Sequence, residues 1–294
     1  MKTPVLLLAA LAAANESFYA SNKNIYELTP NTFKEVVHNT NYTTIVEFYA
    51  PWCGYCKQLK PVYNTLGKFL HGESKYAVNV AAVNCDEEKN KVLCSEHKIQ
   101  GFPTMIVFRP PKHQVGKPKK GKHVPEVYPG QRELAPMVEF VSSRIKNYVK
   151  KFFSVHSESF VNWINESDAP HKVVILTKSN TISPLLRTLA IDFLDSVSIA
   201  AVSVKDLAGP TTITLHSEEV EIPVTENESY PVLLVYDLAS NSFSRYKGDS
   251  MTKLLKLEKF IMSKTGAVPS EGRYSTKGKK LAKYRATLNA HDEL

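Results

Sequence analysis

Two cysteines three positions apart, Cys53 and Cys56, sit in the run Glu47-Phe48-Tyr49-Ala50-Pro51-Trp52-Cys53-Gly54-Tyr55-Cys56-Lys57. Two thiols at this spacing can close and open a disulfide, which is reversible dithiol chemistry. Thr43 to Tyr49 is β-branched and aromatic, so it predicts a buried strand that ends in a turn and delivers Cys53 to the start of a helix. Unpaired backbone N–H groups and the positive end of the helix dipole favour a thiolate there, which makes Cys53 the candidate nucleophile. Cys56, one turn on, is the candidate resolving thiol. As thiolate, Cys53 attacks a substrate disulfide and Cys56 releases the mixed disulfide; the reverse direction oxidises a substrate dithiol. A zinc knuckle would need a second pair at about two to four residues' spacing. Cys85 and Cys94 do not supply one, so no metal and no cofactor is expected.

The elements that must position this pair are legible as alternating strands and helices. Asn24 to Leu28 reads as a strand, Asn31 to His38 as a helix, and Cys53 to Leu70 as a helix with Leu59, Val62, Leu66 and Phe69 inward. Val78 to Asn84 is the next strand, followed by a short helix around Lys89 to Glu96. Strands Met105 to Phe108 and Val124 to Tyr128 and a closing helix from Arg132 to Tyr148 complete the set. Cys85 at a strand end and Cys94 on the next helix can meet, and in an oxidising compartment they are expected to form a structural disulfide.

The order βαβαβα then ββα is that of a thioredoxin fold, and residues 24 to 149 closely resemble a catalytic domain of the protein disulfide isomerase family. Three separated motifs carry the resemblance: the run at 47 to 57, Gly-Phe-Pro-Thr at 101 to 104, and Tyr-x-Gly-x-Arg at 128 to 132. It implies that Glu47 lies buried beneath the second cysteine and relays its proton, a role suited to a carboxyl whose pKa burial has raised. The family usually partners this glutamate with a lysine on the following strand; the corresponding position here is Ala82, which leaves Glu47 without that cation. Pro103 matches the family's cis-proline, whose loop, with Phe102 before it, offers backbone groups to an extended substrate. Trp52 and Tyr55, on either side of the nucleophile in sequence, are expected to contact substrate; packing explains an aromatic at 52 equally well. Arg132 matches a mobile arginine that approaches the second cysteine when the mixed disulfide resolves; the alternative is a solvated residue at a helix start.

Past Tyr148 the pattern recurs without cysteine. A helix over Ser157 to Asn165, a strand over Lys172 to Thr177, a helix over Ser183 to Asp195 and a strand over Ile199 to Val204 precede Tyr230-Pro231. Strand Val232 to Asp237, a hairpin partner Phe243 to Tyr246 and a helix from Met251 to Ser263 follow. This predicts a second, cysteine-free thioredoxin-like domain, with 22–149 and 152–265 as the two domains and 266–294 as a basic flexible tail. The polar, strand-like stretch from Ile213 to Glu228 has no place in that pattern.

Length and composition agree with two globular domains: 294 residues with 43% hydrophobic and 22% charged side chains. The net charge of +8 is too modest at this length to argue for nucleic acid. Met1-Lys2 and the apolar run Val5 to Ala14 read as a cleaved signal peptide, 1–14, too short to span a bilayer. The last residues, His291-Asp292-Glu293-Leu294, are a retrieval address of the endoplasmic reticulum, read by a retrieval receptor. Sequons at Asn41, Asn165 and Asn227 suit a lumen where glycans are attached. No other run is long enough to cross a membrane. The segment Arg109 to His123 holds five lysines and no acid, which fits a solvated loop or a dock for an acidic partner. The implied partners are unfolded or misoxidised secretory proteins, with a lumenal thiol oxidase or glutathione to reset the dithiol. The rival reading is a folding escort that holds unfolded chains and uses its cysteines incidentally.

Tyr55 stands where the family most often has histidine. A protonated imidazole stabilises the neighbouring thiolate and with it the reduced state, whereas tyrosine offers one neutral O–H. Tyr55→His is therefore expected to raise the reduction potential, by about 30 mV for each tenfold gain in thiolate stability. The parent should lie nearer the glutaredoxin range of about −200 to −230 mV than the isomerase value of about −180 mV. Equilibration of both proteins against glutathione measures this, and an unchanged potential would remove position 55 from the tuning of the thiolate.

Overall fold

The computed structural model describes residues 17–19, 22–112, 121–166, 169, 171–204, 207 and 209–286. The expected signal peptide, the tetrapeptide His291 to Leu294, Ser167 of one sequon, and Lys117, Lys119 and Lys120 of the basic segment lie outside the described residues.

The first domain is one five-stranded sheet with helices on both faces. Strands β1 (Tyr26–Glu27), β2 (Thr43–Tyr49), β3 (Val78–Asn84), β4 (Thr104–Arg109) and β5 (Val124–Val127) lie in the order β1-β3-β2-β4-β5. β1, β3 and β2 run parallel, and β4 and β5 pair antiparallel to close the sheet. All seven residues of the central strand β2 are buried. Because successive side chains alternate faces, Ile45 and Tyr49 pack beneath α2 (Gly54–Gly67) and α4 (Leu134–Ser143). Val46 and Phe48 pack on the other face with Phe33, Val36, Val37 and Leu93, from α1 (Pro30–Phe33), the π-helical turn after it and α3 (Lys91–Glu96). Glu47 therefore falls on the α2 side, in an otherwise apolar layer. α4 is shorter at both ends than the expected helix: it begins after Arg132, at Leu134, and stops at Ser143. Ile145 keeps the helical spacing because it packs in the same core, not because the helix continues.

The second domain repeats this topology. β6 (Lys150–Phe152), β7 (His171–Thr177), β8 (Ser198–Ser203), β11 (Val232–Asp237) and β12 (Ser242–Arg245) lie in the order β12-β11-β7-β8-β6. Counted along each domain, both sheets read first-third-second-fourth-fifth, so the architecture is two thioredoxin folds in series. α5 (Glu158–Asn165), α6 (Pro184–Asp192) and α7 (Leu254–Thr265) match the expected helices to within a few residues at each end. β6 is not foreseen by the sequence pattern, since its three residues include two exposed lysines. The unplaced polar stretch is an antiparallel hairpin, β9 (Thr211–Leu215) and β10 (Glu218–Ile222). Its two-residue turn, His216-Ser217, has φ values of 48° and 69°. Left-handed residues suit a tight hairpin, but without an Asn-Gly or Asp-Gly the sequence carries no turn signal there.

The two ends of the described chain depart from expectation. Ser17–Tyr19, upstream of the expected domain start, belong to the first domain: Tyr19 is 1% exposed in its core. Residues 266–286 are not the flexible tail expected of them. They run back over the first domain and end in α8 (Thr276–Ala286), which buries Leu281 among the residues around Phe33 and Val46. Lys280 pairs with Glu35 at 2.9 Å, and the Arg285 guanidinium stacks 3.5 Å from the Tyr26 ring centroid. Lysines dominate the exposed face of α8, so composition alone hides its one buried stripe.

Cys85 and Cys94 form a disulfide with Cα atoms 6.0 Å apart across a separation of nine residues. Closing a loop of this size removes about 2–3 kcal/mol of unfolded-state entropy. The double variant Cys85→Ala/Cys94→Ala should lose about that much stability in urea unfolding while the dithiol at 53 and 56 still cycles; equal stability of the two proteins would show that the bond is not structural.

Candidate active site

β2 ends at Tyr49, and the chain turns through Pro51 and Trp52, where the N–H of Cys53 donates to the Ala50 carbonyl at 3.1 Å. Cys53 is the N-cap of α2: its Sγ accepts the N–H of Cys56 at 3.4 Å, in the place an Asp or Ser side chain usually fills. Its thiol donates to the Phe102 carbonyl at 3.6 Å. Both cysteines are free thiols; Cys53 keeps 9% of its surface exposed, while Cys56 is fully covered. Burial, and then the hydrogen bond with Cys53, push the Cys56 thiol up to about 12.

Around the rim, Trp52 and Tyr55 expose about two thirds of their surfaces, at 64% and 66%. Trp52 donates its indole N–H to Asp86 at 2.9 Å and meets Phe102 edge-to-face at 6.0 Å. The Phe102–Pro103 peptide is cis, as is Tyr230–Pro231 in the second domain. Arg132 lies outside α4, exposed, and donates to the Pro103 carbonyl at 3.3 Å. A cavity of about 410 Å³ lies between the two domains, lined by Tyr42, His71, Asp192, Glu258 and Arg285 among others, and neither Cys53 nor Cys56 lines it. The dithiol instead sits on an open surface that a polypeptide can approach.

Glu47 is fully buried on β2, with Ala82 and Met105 as its register neighbours on β3 and β4. Burial lifts its carboxyl to about 8. A hydrogen bond from Tyr19 and the charge of Arg132 oppose that rise, and Glu27 adds to it. Its proximity to the dithiol registers in Cys56, whose thiol its charge also raises. Among the described residues no lysine takes the place of the absent one; the Tyr19 hydroxyl donates to Oε2 instead. Sequence reading missed Tyr19 and Glu27, a half-buried carboxyl that desolvation raises to about 7. An acid inside the apolar run Ile25-Tyr26-Glu27-Leu28 and the adjacent aromatics Phe18-Tyr19 were the available signals.

The sequence matches the thioredoxin family over residues 24–143. It is also 38% identical to protein disulfide-isomerase MPD1 of Saccharomyces cerevisiae over 99% of this chain and 98% of that protein. The chain belongs to the protein disulfide-isomerase family. A putative protein disulfide-isomerase of Dictyostelium discoideum is 35% identical over 62% of this chain and 41% of its own length. Among solved structures, ERdj5 aligns with a TM-score of 0.47 and 18% identity over 84% of this chain and 30% of that one. Like its full-length relative, the chain is a small member of the protein disulfide-isomerase family and a thiol-disulfide oxidoreductase.

Among the described residues no helix is long and apolar enough to cross a membrane, and no group of three or more His, Cys, Asp or Glu is placed to hold a metal ion. Of the sequon asparagines, Asn165 and Asn227 are exposed, whereas Asn41 is half-buried and donates its backbone N–H to Glu271 at 2.9 Å.

The raised Glu47 carboxyl makes stability depend on pH with a definite sign. Between about pH 4.5 and about pH 8 the folded state keeps a proton that the unfolded chain has released, so this residue's contribution to stability falls as pH rises through the window. Glu47→Gln, which can still accept from Tyr19, removes the penalty. Relative to the parent, it should gain on the order of 1–3 kcal/mol between pH 5 and pH 8 in urea unfolding. A stability difference that stays constant across that range would mean Glu47 is ionised in the fold.

Proposed function

We infer that this protein exchanges disulfides in folding secretory proteins within the lumen of the endoplasmic reticulum, with Cys53 as nucleophile and Cys56 as resolving thiol. The observation that carries the reading is the asymmetry of the pair: a partly exposed Cys53 capping a helix, and a fully covered Cys56 behind it, above a buried carboxyl. Cys53 as thiolate attacks a client disulfide, so the client sulfur leaves with the electron pair and a Cys53–client disulfide forms. Cys56 cannot resolve that bond while its proton is held, because its thiol is pushed up to about 12. Glu47 accepts the proton, Cys56 attacks Cys53, and the client is released reduced. Arg132, now on the Pro103 carbonyl, is near enough to exert its charge on Glu47 and assists as the thiolate forms. Run backwards, the same steps donate a disulfide to a client dithiol, after which a thiol oxidase or oxidised glutathione resets the pair.

Trp52, Tyr55 and the Phe102–Pro103 loop form the client-facing surface. The second domain adds surface but no thiol, since all four cysteines precede residue 95. Lumenal residence is supported by the apolar leader, the terminal His-Asp-Glu-Leu, exposed Asn165 and Asn227 as glycan acceptors, and the Cys85–Cys94 disulfide, which suits an oxidising compartment.

Cys56→Ser should accumulate a covalent complex with a disulfide-bearing client, cleaved by reductant, while Cys53→Ser should form none. In the reduced parent, iodoacetamide should modify Cys53 and spare Cys56. Complexes trapped equally by both variants, or two thiols inert to alkylation, would reject the redox reading in favour of a chain that only holds its clients.

A further inference from the structure

We propose that Tyr19 is the residue that holds Glu47 ready to accept the proton of Cys56, and that Glu27 is a positioning residue which keeps Tyr19 there. The inference rests on the proposed roles of Cys56 and Glu47 and adds two residues to them. In the resolving step the Cys56 S–H bond breaks and its proton passes to a Glu47 oxygen. The sulfur then attacks Cys53, the bond from Cys53 to the client sulfur breaks, and that sulfur leaves with the electron pair. The step requires Glu47 to be ionised while lying in an apolar layer, where nothing on the neighbouring strands can stabilise a charge: Ala82 and Met105 flank it.

Among the described residues Tyr19 supplies the hydrogen bond to Glu47 Oε2, while Oε1 has no hydrogen-bond partner and is free to take the proton. A donor to the ionised form favours that form. The other titratable or charged groups that act on or are acted on by Glu47 are Glu27 from β1, Cys56 and Tyr63 from α2 and Arg132 from the loop before α4, and Tyr49 shares its face of β2 two residues on. Tyr63 spends its hydroxyl on the carbonyls of Ile45 and Ala81, and Tyr49 spends its on Glu27. Neither is available to the carboxyl.

Tyr19 lies ahead of the first strand, on a segment with no ladder to hold it, and Glu27 takes the place of a ladder. The Ser17 hydroxyl, the Tyr19 N–H at 3.3 Å and the Tyr49 hydroxyl at 2.6 Å all donate to its two oxygens. Phe18 stacks on Tyr49 with centroids 4.8 Å apart and gives its N–H to the Tyr49 oxygen at 3.0 Å. The Tyr19 ring is gripped between Tyr49 and Tyr63, each 5.6 Å away. One carboxyl that gathers three donors thus fixes a single hydroxyl against the proton acceptor.

The test is the pH profile of the resolving step in the full-length protein, read in single turnovers with a self-quenched, dye-labelled glutathione disulfide. Tyr19→Phe, which keeps the ring, should move the midpoint upward by about half a unit or more and slow resolution at pH 7 about threefold. Alkylation of Cys53 should be unaffected. Phe18→Leu keeps the hydroxyl but loosens the segment, and should shift the profile the same way by less; it serves as well if Tyr19→Phe folds poorly by circular dichroism. Removing the Glu27 charge by Glu27→Gln lowers the midpoint on its own, whereas losing its grip on Tyr19 raises it. The shift from Glu27→Gln should therefore differ between the parent and the Tyr19→Phe variant. Identical profiles for the parent, Tyr19→Phe and Phe18→Leu would overturn the role of Tyr19, and equal Glu27→Gln shifts in both backgrounds would overturn that of Glu27. If the parent itself showed no Cys56-dependent resolution, the function reading would fail instead.

Discussion

A carboxyl held in an apolar layer beneath a helix is the constraint around which the first domain is arranged. Strand alternation leaves Glu47 no choice: its neighbours Val46 and Phe48 belong to the opposite core, so it must face α2 with Ile45 and Tyr49. Desolvation then holds the group protonated toward neutral pH, and the fold answers with one phenol rather than a buried ammonium. The exchange has a physical logic. A buried lysine would itself need desolvating and would pin Glu47 in its ionised form, whereas a neutral O–H leaves the carboxyl close to its titration point. Tyr19 remains a donor throughout, because burial and the neighbouring carboxyl keep its own proton in place.

The same layer explains why two thiols three residues apart differ so much. Cys53 caps α2 at its edge and keeps 9% of its surface exposed, whereas Cys56 lies on the inward face of the helix, fully covered and packed in the same core as Leu59 and Tyr63. Position on the helix, not residue type, makes one thiol the attacking group and the other dependent on a proton acceptor. Trp52 and Tyr55, about two thirds exposed, flank the sulfur that keeps some exposure and give the rim an apolar surface of the kind that partners cover.

What was legible in the sequence is what depends on local pattern. The β-branched strand, the Cys-x-x-Cys helix start and the apolar stripes of α2 and α7 marked the order of elements, because each is set by its own periodicity, and the likeness of that order to a known fold supplied the topology. The meeting of Cys85 and Cys94 followed from a strand end and a short helix close in sequence. Contacts between distant segments were opaque. Tyr19 reaches Glu47 across 28 residues and Asn41 reaches Glu271 across 230, and no periodicity encodes either. α8 was hidden by its lysines, and the β9–β10 hairpin by a His-Ser turn that carries no glycine or asparagine. Hydrophobic periodicity past Ser143 misled in the other direction, since Ile145 is buried without being helical.

The C-terminal return of the chain gives the cysteine-free domain a mechanical meaning. Tyr42 of the first domain donates to Asp192 of the second at 2.6 Å, and the Ala77 N–H donates to Thr188 at 2.8 Å. The Asp192 carbonyl in turn accepts the N–H of Ser270 at 2.7 Å, on the stretch of chain that leads to α8. Burial and the adjacent Glu258 carboxyl hold the Asp192 carboxyl well above its usual range, while Glu271 nearby pairs with Lys277, so the junction combines hydrogen bonds at a desolvated acid with an ion pair. Ile191 and Leu194 extend the first core into the second domain, and Leu281 of α8 enters the first domain's other core. The chain thus crosses the boundary twice, anchored by buried Ile145 and Val149 on the way out and by buried Glu271 and Ser275 on the way back, so packing and hydrogen bonds, not a linker alone, join the second domain to the one that carries the dithiol.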